Sequence, residues 1–192
     1  MRGITVQRRL APGLGAGILL VAALAGPAFA ADTITQAITG SGLTASVGDV
    51  TLTSVAYQNA AHAVVGTMVL TADDSTGSGA GWNVTIVSSD FVWVGTANGG
   101  FDIPAANLSL SSAAAPVMIA GQVVSVAAAT GPQVPPTSPL GTLDTARKTL
   151  SATAAYGSGT YTQGLGITLA IPAMSRVGVY TGTLTTTITS AP

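Results

Sequence analysis

The chain has 192 residues, 47% of them hydrophobic and only 7% charged. It carries no cysteine, no glutamate and one histidine, His62, and beyond residue 30 its only basic side chains are Arg147, Lys148 and Arg176. Disulfides and thiolate metal sites are thereby excluded, clustered cations for nucleic-acid phosphates are missing, and a catalytic nucleophile would have almost no acid or base to work with.

Residues 1–30 read as an export signal. Arg2, Arg8 and Arg9 form a positive start, residues 10–25 are mostly apolar, and Ala28-Phe29-Ala30 supplies a small-x-small cleavage pattern before Ala31. Pro12, Gly13, Gly15, Gly17 and Pro27 interrupt the run, which is short for a membrane span. The residues after Arg8-Arg9 match a twin-arginine signal poorly, which favours the general secretory route. The expectation is a secreted domain of residues 31–192 with no membrane span after cleavage.

Thr and Val are frequent in that part, and Gly or Pro interrupts every few residues, so no window sustains a helical stripe and strands should dominate. Residues 33–39 and 42–47 are the first candidates. Residues 50–57 (VTLTSVAY) alternate as a half-buried strand does. Residues 64–72 and 82–88 are predicted to form a hairpin across a solvated, Gly- and Asp-rich turn at 73–81.

Residues 91–94 continue or flank the sheet, Asn98-Gly99-Gly100 signals a tight turn, and residues 103–107 fit one helical turn with Pro104 at its start. Residues 108–111 and 117–128 read as strands. Residues 131–139 contain four prolines and read as a loop crossing between sheets. Residues 149–155, 164–171 and 177–189 complete an all-β, single-domain sandwich of about nine to eleven strands. Tyr161-Thr162 and Tyr180-Thr181 echo one another, each two residues after a glycine, and read as two paired strands.

Several segments, in order, resemble the WxL domain of bacterial surface proteins. They are Gly81-Trp82 leading into Val84 and Ile86, then 103–110 (IPAANLSL), then Leu169, Ile171 and Pro172, and finally Gly178, Tyr180, Gly182, Leu184 and Thr185. The resemblance spans about residues 33–188. It implies an exported β-rich domain that attaches non-covalently to the cell wall through peptidoglycan or an associated polymer, beside other surface proteins. Of the two Trp-x-Leu motifs that name the family, the first here reads Trp82-Asn83-Val84. The place of the second, 185–188, reads Thr-Thr-Thr-Ile and has no tryptophan.

Four aromatic residues are the candidates for contact with wall or partner: Trp82, Trp93, Tyr161 and Tyr180. Trp82 lies on an alternating apolar face and reads first as core. Trp93 precedes a Gly-rich loop and is the better platform for a ligand. His62 has no second His or Cys to share a metal, and Asp73-Asp74-Ser75 lacks the spacing of a calcium loop. Asp90 and Asp102 have no spacing that recommends them as a glycosidase pair. No G-x-S-x-G elbow is present, and Gly77-Ser78-Gly79 lacks the lysine and helix of a phosphate loop. The reading is non-enzymatic, without cofactor or metal.

Two functions follow from this. One is a cell-surface module that binds the wall by aromatic faces and hydroxyls. The alternative is a self-assembling subunit of a surface filament or coat, because Thr-rich strands with few charges leave sheet edges unguarded against strand addition.

Overall fold

Alternation decides the layout. On β2 (His62–Asp74) every second residue from Val64 is apolar or glycine until Asp74, and Val64, Met68, Leu70 and Ala72 are buried. On β9 (Gly159–Ile171) Tyr161, Leu165, Ile167 and Leu169 do the same. These two strands pair antiparallel along their full length, His62 opposite Ile171 and Asp74 opposite Gly159.

The computed structural model describes residues 35–190 apart from 127, 137 and 138. The expected signal segment, with Ala28, Ala30 and Ala31, lies outside the described residues. The strands belong to one compact unit that begins at Ile38. Around β2 and β9 the large sheet adds β1 (Leu43–Val47), β5 (Leu108–Ala113), β6 (Val117–Gly121) and β7 (Gly141–Thr142), in the order β1-β2-β9-β5-β7. β5 and β6 share the same edge of β9, one after the other, β5 at Leu165–Leu169 and β6 at Gly159–Thr162. A second sheet holds β3 (Trp82–Ser88) between β8 (Arg147–Ala152) and β11 (Leu184–Ser190), and a two-stranded ribbon joins β4 (Val92–Val94) to β10 (Val179–Thr181). The all-β sandwich of eleven strands is as the sequence predicts. Its core joins Leu70, Tyr161, Leu165 and Ile167 of the large sheet to Trp82, Val84, Ile86 and Leu150 of the second.

One buried polar link ties the sheets. The Gln163 amide Nε2 donates to the carbonyl of Thr149 on β8 and to that of Ala114, each at 3.0 Å.

The predicted hairpin is not formed, since β2 and β3 lie in different sheets. The turn between them is solvated at Ser75, Gly77 and Ser78 but anchored at its start. Asp74 is 4% exposed, and its Oδ1 accepts from the Thr76 N–H at 3.0 Å and the Thr76 hydroxyl at 2.6 Å. Gly77, Gly79 and Gly81 then all take positive φ. Gly81 lies so close to the backbone of residues 152–154 that no side chain fits there, and this steers the chain into the second sheet.

Residues 50–57 are also no strand. Val50 and Leu52 are half-buried against the core, as the alternation requires, yet the segment makes no ladder. It continues from β1 after Gly48, leaves the edge of β2 and lies over the inner face, where Leu52 fills the space above Gly66. Alternation reports a buried face; it does not report whether the backbone has a partner.

Other segments depart from the expectation in smaller ways. Residues 35–39 form no strand. The proline-rich loop leaves and rejoins the large sheet rather than crossing to the other, although Gln133 bridges Ser151 of β8. The predicted strand at 117–128 stops at Gly121, where φ is 103°. The stretch 177–189 splits at Gly182 into β10 and β11, and β10 pairs with β4, so the strands holding Tyr161 and Tyr180 are not neighbours. The expected helical turn is formed, as a single 3-10 turn, Ala105–Asn107, after Pro104.

Candidate functional site

The second layer does not cover the whole inner face of the large sheet. At the end near Ile167, Leu169 and Ile171 it is replaced by the strap of residues 48–58 on one side and residues 175–184 on the other, and a cleft of about 1050 Å³ opens between them. That is the size of a site for a small organic ligand. Its floor is apolar, with Ile103, Leu108 and Phe91 beside the β9 residues. Its walls carry Tyr57, Tyr180 and the hydroxyls of Thr51, Ser54, Ser175 and Thr183. Tyr57 is 47% exposed and presents an open ring face.

Charge in the cleft is sparse: Asp49, Arg176 and the half-buried His62 line it. Neither ring nitrogen of His62 has a hydrogen-bond partner. His62 also borders a shallower hollow of about 470 Å³ beside Asn107, Ala170 and Pro172. The Tyr180 hydroxyl donates to the Arg176 carbonyl at 2.8 Å, and burial pushes its phenol above the ordinary value. That bond closes the 176–180 loop and fixes the ring at the cleft wall.

Beside Tyr180 stands Trp93, its register partner on β4. The indole lies in a slot of three glycines, Gly95, Gly100 and Gly178, none of which could carry a side chain without striking it. Its Nε1 is buried with no hydrogen-bond partner, and its backbone N–H donates to Asp102 Oδ1 at 2.8 Å. Trp93 is thus half-buried and packs across the glycines of the ribbon.

Trp82 and Tyr161 sit elsewhere. Both are 0% exposed in the core, where the Trp82 Nε1 donates to the Gly157 carbonyl at 3.0 Å. The Tyr161 hydroxyl is 3.0 Å from the carbonyl oxygens of both Gln122 and Ser158. Burial, with the nearby charge of Asp74 adding to it, holds the Tyr161 phenol above its ordinary value. Of the four aromatic candidates, the structure therefore groups two in the core and two in the ribbon that walls the cleft. Nothing in the spacing of Tyr57, His62 and Arg176 marks them as lining one site, because no local pattern says that the strap turns back over the sheet.

The remaining acids are engaged locally. Asp90 Oδ1 accepts the Ala105 N–H at 2.7 Å. Asp73 accepts from the hydroxyls of Ser75 and Thr160, each at 2.5 Å, and Asp144 from that of Thr142 at 2.7 Å. Among the described residues no group of three His, Cys, Asp or Glu could hold a metal ion, and no helix is long and apolar enough to cross a membrane.

The two Trp-x-Leu positions adjoin in space. β3 and β11 pair with Trp82 opposite Ser190, Val84 opposite Ile188 and Ile86 opposite Thr186. A family model described as a WxL domain, surface cell wall-binding, matches residues 31–192. No curated protein and no solved structure matches the chain.

Proposed function

We propose a function from the premise that this chain belongs to the WxL domain family of surface cell-wall-binding domains: it is an exported, non-catalytic protein that attaches non-covalently to peptidoglycan or an associated wall polymer. On this reading residues 1–30 are removed and residues 31–192 act at the cell surface. The observation that carries the proposal is the cleft. Its tyrosine and phenylalanine rings suit the apolar faces of sugars, its hydroxyls suit their oxygens, and it needs no cation cluster.

The acids support binding over catalysis. Asp90 and Asp102 each hold a backbone N–H of the fold, and the imidazole of His62 has no carboxylate or hydroxyl partner that would orient it as a base. Co-sedimentation of the purified protein with isolated cell walls tests the reading. Binding that falls at least tenfold in Tyr57→Ala, with an unchanged fold, is the expected result. Equal binding by the wild type and by that variant would remove the cleft as the site, and no binding by the wild type would remove the function.

A further inference from the structure

The outer face of β2 changes character along its length. At its C-terminal end Thr71 and Asp73 are half-buried, where β1 pairs with Leu70–Asp74. Towards its start Val65 is 72% and Val69 57% exposed. The difference has a simple origin. β9 flanks β2 on one side throughout, whereas β1 stops at Val47 opposite Leu70, and the strap that follows moves onto the inner face without forming a ladder. From His62 to Val69 the second edge of β2 has no strand partner among the described residues, and every other residue there directs its N–H and C=O away from β9.

An open edge of this length is normally guarded by lysine, proline, a bulge or a covering loop. Here the residues from 63 to 69 are Ala-Val-Val-Gly-Thr-Met-Val, with no charge and no proline, and the register with β9 runs without a shift. The same stretch is complementary to itself. Antiparallel pairing about a two-fold axis at Thr67 sets Thr67 against Thr67 of a second copy and Val65 against Val69. These are a hydroxyl pair and β-branched pairs of the kind that stabilise sheets, and no like charges meet.

We infer that the free edge of β2 is a homodimer interface, through which two copies join their large sheets into one continuous sheet. The interface is separate from the cleft and does not depend on wall attachment. Each copy keeps its Tyr57 and Tyr180 walls, since they belong to the inner layer, while the pairing adds at the sheet edge.

Sedimentation velocity over a range of concentrations, without wall material, tests this. The wild type should show a concentration-dependent monomer–dimer equilibrium, and Val65→Lys, an exposed substitution that leaves the circular dichroism unchanged, should remain monomeric. Because the chain has no cysteine, Thr67→Cys gives a clean second readout. Under mild oxidation it should form a disulfide-linked dimer, while Thr162→Cys, on the same sheet face but flanked by β2 and β6, should not. A wild type that is monomeric at every concentration, a Val65→Lys variant that still dimerises, or a Thr67→Cys variant that cross-links no faster than Thr162→Cys would each overturn the inference. Wall co-sedimentation is scored separately, so either proposal can fail alone.

Discussion

The rings of Trp82 and Tyr161 meet between the two larger sheets, their centroids 6.3 Å apart and their planes inclined at 45°. Trp82 stands on β3 and Tyr161 on β9, so the contact joins the two layers within the core. The motif tryptophan is therefore a structural residue in this chain. Replacing Trp82 with alanine should cost about 3–5 kcal/mol from lost burial and the cavity left behind. Phenylalanine keeps a ring but leaves the Gly157 carbonyl without its donor, at a cost of about 1–3 kcal/mol. Denaturant unfolding checks both.

Gly66 and Leu52 give a second test. A Cβ on Gly66 would lie 2.5 Å from Leu52 Cδ2 and 3.4 Å from Ile167. Gly66→Val should push the strap off the sheet and destabilise the domain by about 1–3 kcal/mol, as overpacking does. Limited proteolysis should then cut within residues 48–58 faster than in the wild type, and affinity for cell walls should fall with it.

Asp90 and Asp102 separate a scaffolding from a catalytic role. Asp90→Ala removes the acceptor for the Ala105 N–H and should cost about 1 kcal/mol. Asn retains an acceptor oxygen, so an Asp90→Asn, Asp102→Asn double variant should keep both its melting temperature and its binding to walls. Loss of wall binding in a folded double variant would show that the charges themselves contact the polymer.

The tyrosines set the alkaline limit. Tyr161 and Tyr180 have phenols raised above the ordinary value by burial. The folded state thus holds these protons more tightly than the unfolded state does. Their contribution is complete below about pH 10, the unfolded value, and is lost as pH rises through the folded values. Stability should therefore drop above about pH 10. Tyr161→Phe should start less stable but lose less on the same pH scan, which a series of urea titrations would measure.

The strand content was legible because alternation of Val, Ile and Leu with Thr and Ser marks a half-buried sheet, and β3 and its tryptophan fall where the pattern places them. Pairing was not legible. Residues 50–57 and 64–72 carry the same alternation, yet the second lies in a full ladder and the first in none, since a residue's burial does not depend on its backbone partner. The turn at 73–81 looked like a hairpin for a similar reason. Its glycines announce a change of direction, while the contact of Gly81 with residues 152–154 that selects the other sheet is more than seventy positions away. The ribbon half of the site was visible in Tyr180, but the strap half depends on Gly66 having no side chain, which no local pattern reveals.

The central place of β9 bears on when this protein can fold. The strand forms the ladders with β2, β5 and β6, all of which precede it in the chain, and β2 must wait for residues 159–171 before it gains a partner on that side. Pairings this distant in sequence form slowly. A chain whose large sheet cannot close until its last quarter is available would stay without that sheet during passage through a membrane, which suits the secretory route proposed for it.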